Sequence, residues 1–199
     1  MNDFDKINTK IIFIGDSKQL QPVESFNHSK VFDNKNKFEY AGASGGFIDN
    51  LGYPFCRGRI LDFLEEDKGQ YNDTIEVFWA TGACLFVRAS SFHKVGGFDF
   101  DFFAHMEEID LCWRLKNQGY KIMCIPQSTV YHVGGGTLNQ GSRFKTYLNY
   151  RNNLLMLYKN LEKNRFKTIF TRLLLDGLSS IKLILDGRPL HIFSILKLS

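Results

Sequence analysis

Between Gly96 and Gly119 the chain reads Gly-Gly-Phe-Asp-Phe-Asp-Phe-Phe-Ala-His-Met-Glu-Glu-Ile-Asp-Leu-Cys-Trp-Arg-Leu-Lys-Asn-Gln-Gly, and no other segment constrains the fold as tightly. Ser90 and Ser91 offer N-cap hydroxyls, and the Gly96-Gly97 pair offers a stop, so a short helix is expected between them. A second helix is expected from about Ala104 to Asn117, ended by Gly119. It carries Glu107, Glu108 and Asp110, three carboxylates within four positions. Asp110 and Arg114 stand at i and i+4, where they can pair, and Glu107 joins the same charged face. Glu108 projects about 100° away from Glu107 and lies in the first turns, where the helix dipole favours a carboxylate. Spacing alone leaves two readings open: three solvated surface charges, or a carboxylate set aside for proton transfer.

The flanking segments read as a mixed α/β chain. Lys10 to Ile14 is a short β-branched run closed by Gly15-Asp16, which predicts a buried strand and a turn. Phe38 to Asp73 is glycine-rich and weakly periodic, giving loops and short strands, with a turn of helix expected near Ile60 to Glu66. Glu76 to Arg88 reads as two strand pieces around a bend at Thr81-Gly82-Ala83. Lys121 to Ile125 is expected as a strand stopped by Pro126, and Thr129 to Val133 as another that runs into Gly134-Gly135-Gly136. From Arg143 the pattern turns helical, with Tyr147, Tyr150, Leu154, Leu157, Tyr158 and Leu161 recurring at spacings of three and four. A further amphipathic stretch covers Ile169 to Leu185, with a break expected at Gly177.

Composition removes several classes of function. With 199 residues, 44% hydrophobic and 23% charged, the chain can bury a core, so wholesale disorder is not expected. Nineteen Phe and eight Tyr supply apolar surface and stacking rings. A net charge of +4 does not by itself imply nucleic acid. The charge is uneven, with 11 Lys/Arg against 3 Asp/Glu from Arg143 onward and 14 against 18 before it. That asymmetry fits either an appendage that meets an anionic surface or a solvated helix face. Cys56, Cys84, Cys112 and Cys124 show no C-x-x-C or Cys/His zinc spacing, which points to a reducing, cytoplasmic setting. No secretory leader and no membrane-spanning run are expected.

Four motifs in order, TGACLFVR, GGFDFDFF, MEEIDLCWRLKNQGYKI and PQSTVYHVGGGT, closely resemble the acceptor half of family 2 glycosyltransferases of the GT-A fold, rhamnosyltransferase-like members in particular. The resemblance implies an incomplete α/β GT-A-like domain over residues 38-142, preceded by a foreign segment (1-33) and followed by a helical, basic C-terminal extension (143-199). It implies transfer of a sugar, with inversion, from a nucleotide-sugar donor to a glycan or lipid-linked acceptor. The family helix motif is Glu-Asp-x-Asp, whose second acid is the catalytic base; that place falls on Glu108, one methylene longer, with Glu107, Asp110 and Arg114 in support. An inverting transfer needs a base to take the proton of the acceptor hydroxyl, and Phe102 and Phe103 are expected to shed water around it. Thr81, Gly82 and Ala83 resemble the segment that lines the sugar or acceptor site, Gly82 allowing close backbone approach. Asp99 is expected to orient the loop and helix, and Asp99-Phe100-Asp101 is not read as the metal motif.

The same resemblance implies Mn²⁺ or Mg²⁺, yet the usual Asp-x-Asp ligands have no counterpart here. His132 stands where some family members place a metal or diphosphate contact, and a purely structural histidine fits the residues as well. Separately, KIIFIGDSKQLQPV (Lys10 to Val23) resembles a superfamily 1 helicase motif, in which the residue matching Gln19 senses the nucleotide γ-phosphate. No phosphate-cradling G-x-x-x-x-G-K-[ST] loop accompanies it. The alternative is therefore an inactive chimeric fragment or the remnant of a helicase-type ATPase, with the junction expected near Asp33 to Lys37. At the other end, Arg165, Lys167, Arg172 and Lys182 alternate with Phe166, Ile169, Phe170 and Leu173 to Leu175. That is the composition of a helix lying on a membrane surface, or of one packed back on the domain.

Overall fold

The computed structural model describes residues 38, 44–60, 63–82, 85–126, 142–185, 187 and 189. Among these, an antiparallel meander comes first: β1 (Gly46–Ile48), β2 (Pro54–Cys56), β3 (Arg59–Ile60) and β4 (Phe63–Leu64). Its register pairs Gly46 with Cys56, Cys56 with Arg59, and Arg59 with Leu64. The helical turn expected near Ile60 to Glu66 is thus a β-hairpin. Strands of two residues are too short to display a period of two, so among the short strands expected over Phe38 to Asp73 this pair has no pattern of its own.

β5 (Ile75–Val77) pairs antiparallel with β6 (Ile122–Cys124), which places the strand expected before Pro126 where it was read. One bridge, Gly46 to Trp79, joins the two sheets. Its glycine is dictated by packing, since a Cβ on Gly46 would stand 2.1 Å from the Trp79 ring. The indole Nε1 donates to Phe47 O at 2.9 Å. Of the two strand pieces expected around Thr81, the first forms as β5; in the described part of the second, Leu85 to Val87 are irregular.

α1 (Ala89–Lys94) starts from Arg88, and neither serine caps it. Its stop follows the expectation closely. Gly96, at φ +85, donates to His93 O, and the Gly97 N–H reaches Phe92 O at 2.9 Å, the paired bonds of a Schellman ending. α2 (Glu107–Asn117) ends in the same way, with Gly119 at φ +81 donating to Lys116 O and Tyr120 N–H to Leu115 O. It begins three residues later than expected, because His105 and Met106 take left-handed backbone (φ 70 and 72) and cannot be helical.

α3 (Arg143–Asn160) is capped by Ser142, whose hydroxyl accepts from the Lys145 N–H at 3.1 Å. The helix is where the periodicity placed it, and Leu157 of that pattern is buried, whereas its tyrosines are not. Leu148, Asn152, Met156 and Asn160 are buried, and Tyr158 is exposed. α4 (Arg165–Leu185) runs through Gly177 without a break; one glycine costs a helix about 1 kcal/mol and need not end it. The core is built from Val77, Trp79, Leu85, Phe102, Ile109, Leu111, Cys112, Leu115, Ile122 and Met156, with α2 at its centre. No described helix is long and apolar enough to cross a membrane.

Candidate active site

Ile109, Leu111, Cys112 and Leu115 of α2 are buried, so the helix is pinned along most of its length and its first turn is held firmly in place. Asp110 is also fully buried, which excludes the reading in which all three acids are solvated surface charges. It receives Arg114 Nε at 2.8 Å and Asn160 Nδ2 at 2.7 Å. Arg114 donates onward to the Val95 carbonyl and, at 2.8 Å, to Gly97 O. The i,i+4 pair expected from sequence is therefore real, but it serves as a buried clasp between α2, the glycine turn and α3. Lys116 fixes the far side through Glu76 at 2.7 Å.

The approach to α2 is strained. Asp99 accepts from the Asp101 N–H at 3.0 Å, caps the 3-10 turn Phe100–Phe102, and pairs with Lys159. Phe102 is buried against the core, but Phe103 is largely exposed and does not shield the acids as expected. Phe103, His105 and Met106 all have positive φ. For residues with a Cβ such conformations cost on the order of 1–3 kcal/mol each and persist only where surrounding contacts enforce them. Here Asn152 Nδ2 faces the carbonyls of Phe102, Ala104 and His105 at 2.7–2.8 Å.

Glu108 emerges from this turn into a dry setting. Burial, and then the charge of Glu107, push its carboxyl up to about 8, against the pull of the backbone N–H groups of Glu108, Gly82 and Ile109. Its Oε2 is buried without a hydrogen-bond partner. Glu107 is raised as well, chiefly by burial, and its Oε2 is likewise unpartnered. His105 is lowered by burial and by Lys145, and its Nε2 is buried and unpaired. Cys112, one turn beyond Glu108, has its thiol pushed up to about 12, chiefly by burial, and packs as a small apolar residue. Buried polar atoms are ordinarily satisfied, so orphans at His105, Glu107 and Glu108 mark an unusual stretch of chain.

Gly82 is brought to Glu108 by its backbone, so the two motifs read separately in the sequence meet in space. Around Gly82 itself a Cβ would meet no atom of the described residues within 4 Å. Thr81 adjoins it, half-buried. Ala83, His132, Gly134 to Gly136 and Gln19 lie outside the described residues, as does the whole 1–33 segment. Among the described residues no group of three or more His, Cys, Asp or Glu is arranged to hold a metal ion. Asp99 is paired with Lys159. Sequence reasoning missed Asn152, Asn160 and Lys159. Their one sign was the interruption of an apolar stripe, Leu148 to Met156, by amides at helical spacing.

No family model matches the chain, and no solved structure matches it. Over 56 residues it is 45% identical to the N-acetylglucosaminyl-diphospho-decaprenol L-rhamnosyltransferase of Mycobacterium tuberculosis, covering 28% of this chain and 18% of that protein. Over 62 residues it is 40% identical to the rhamnosyltransferase WbbL of Escherichia coli, covering 31% of this chain and 23% of that protein. A weaker likeness, 22% over 135 residues, spans 65% of this chain and 43% of the low-salt glycan biosynthesis hexosyltransferase Agl10 of Haloferax volcanii. The chain thus spans between about a fifth and under half of the length of the curated relatives it matches. Over these stretches it is related to glycosyltransferases, rhamnosyl- and hexosyltransferases among them.

Proposed function

We propose that the chain carries the acceptor-side half of an inverting, nucleotide-sugar-dependent glycosyltransferase, with Glu108 as general base. The observation that carries the reading is a buried, partly unpartnered carboxyl at the start of α2, facing the Gly82 N–H. In the reaction, an acceptor hydroxyl oxygen bonds to the anomeric carbon of the donor. The bond from that carbon to the diphosphate breaks, and the leaving nucleoside diphosphate keeps the electron pair. The hydroxyl proton passes to ionised Glu108. A base whose pKa lies near the working pH combines availability with driving force, and a carboxyl held near 8 meets that condition. Arg114, Asp110 and Asp99 position this helix without touching the substrate, and Thr81 and Gly82 line the approach. The reading is tested by incubating the chain with radiolabelled uridine- and thymidine-diphosphate sugars and a lipid-linked or glycan acceptor. Label transferred from at least one donor is the expected result; no transfer from any of them counts against it.

A peripheral membrane contact through α4 belongs to the same reading. Arg172, expected among the basic residues of the membrane face, is instead buried at 2% exposure. Its guanidinium lies 3.5 Å from the Tyr53 ring centre, and it pairs with Asp176. That face of α4 packs on the domain, and Tyr53, which donates to Asp176 at 2.8 Å, has its hydroxyl raised to about 12 mainly by burial. The opposite face exposes Phe166, Phe170, Leu173, Leu174, Leu178 and Ile181, with Lys167 and Lys182 along one edge. No acid other than the buried Asp176 lies on the helix. An apolar stripe edged by lysines suits an anionic bilayer surface, and one relative is named for a diphospho-decaprenol acceptor. The double change Phe166→Ser and Phe170→Ser is expected to weaken co-sedimentation with anionic vesicles at least about tenfold, without lowering the melting temperature. Unchanged vesicle binding would remove α4 from the membrane.

A further inference from the structure

We infer that Asn152 is a positioning residue that holds the Phe102–Met106 turn in its left-handed course and so aims Glu108 at Gly82. The inference rests on the reading of Glu108 as the base. Three carbonyls, those of Phe102, Ala104 and His105, point at one amide nitrogen at 2.8, 2.7 and 2.8 Å. They converge because the backbone reverses at Phe103 and again at His105 and Met106. The Ala104 N–H adds a tight bond back to Phe102 O at 2.7 Å. Oxygens brought together in this way repel one another unless a donor lies among them. An amide NH₂ has two protons to share across the three.

The other end of Asn152 shows that the donor is what matters. Its Oδ1 is buried with no partner, so the amide is held by its nitrogen alone. Neighbours on α3 grip the flanks of the same segment: Arg151 donates to the Asp101 carbonyl, Lys159 pairs with Asp99, and Asn153 reaches Gly52 O at 3.0 Å and Met106 Sδ at 3.9 Å. Asn160 completes the row on Asp110. One face of α3 therefore grips the chain from Asp99 to Asp110, and Asn152 acts at the strained centre. Without its donor the turn relaxes toward ordinary φ values, α2 gains an unstrained entry, and the Glu108 carboxyl shifts toward solvent.

The test follows the Glu108 carboxyl by carbon-detected NMR titration in the 199-residue chain, in wild type and in Asn152→Leu, which keeps the shape and removes the donor. Glu108 is expected to titrate near 8 in the wild type and lower by about one unit or more in the variant. Amide protection of Leu111 to Leu115 should be retained, while turnover falls at least about tenfold with little change in donor KM. If Asn152→Leu does not fold, the smaller Asn152→Ser cannot clash. Its single hydroxyl proton, shared among three carbonyls, is expected to shift Glu108 in the same direction. A folded variant with the wild-type titration and turnover overturns the assignment. If Glu108→Gln keeps full turnover while Glu108 still shifts on loss of Asn152, the base reading falls and the positioning role stands.

Discussion

Glutamine at position 108 is expected to reduce sugar transfer by about 10²–10⁴-fold, the usual contribution of a positioned general base. The substitution keeps the size and shape of the side chain and removes only its ability to take a proton. Phe102, Leu111 and Cys112, which fix the helix, are untouched. Donor KM should therefore hold while kcat collapses, the pattern of an interaction made in the transition state. Stability is expected to move the other way. The Glu108 pKa is raised in the folded state, so the folded chain binds the proton more tightly than the unfolded chain does. That contribution is fully present below the ordinary glutamate pKa and is lost as pH rises through about 8. Above pH 8 the wild type must bury a charge beside Glu107, whereas the glutamine variant has none at that position. Thermal melts across this range should show the variant as the more stable chain at the alkaline end. A wild type equally stable at both ends would show that the carboxyl is not buried as described.

The largest loss of stability is expected from Asp110→Ala. Asp110 is fully buried and is the common acceptor for Arg114 and Asn160. Its removal leaves the Arg114 charge, 22% exposed, without its counterion and Asn160 without that acceptor, at an expected cost of about 3 kcal/mol, the lower end of what breaking a buried pair takes. Arg114 would keep the Val95 and Gly97 carbonyls, which satisfy its protons without neutralising its charge. Against a typical total of about 5–15 kcal/mol, that loss leaves the chain near its folding threshold. Urea denaturation read by circular dichroism should show the midpoint falling sharply. A loss under about 1 kcal/mol, in the range of exposed pairs, would show that the pair is solvated after all.

Features written into the local chain were the ones the sequence disclosed. Gly96 and Gly119 mark helix ends because left-handed residues at those points exclude almost everything else, and both ends lie as read. The Asp110–Arg114 pair follows from helical spacing alone. Long-range packing is what the spacing left out. Nothing in a helical pattern says that Asp110 is buried, because the decision is made by Asn160, fifty residues away. The aromatic periodicity of α3 disclosed the helix but not its buried face, which carries the asparagines that Phe102–Met106 requires. The composition of α4 likewise concealed that Arg172 turns inward, where Asp176 one turn along and the Tyr53 ring wait for it. The resemblance put Gly82 in the segment that lines the sugar or acceptor site, but its meeting with Glu108 is visible only in the fold, and no local rule would have found it.

The pH dependence of sugar transfer tests the central role of Glu108 most directly, measured as kcat in the wild type and in Glu107→Gln. Since the ionised carboxylate is the base, kcat should rise with pH through a limb near 8. Removing the neighbouring charge of Glu107, which lifts Glu108 after burial, should move that limb to lower pH. A limb in the ordinary carboxylate range in the wild type, or one that stays put in Glu107→Gln, would contradict Glu108 as the base.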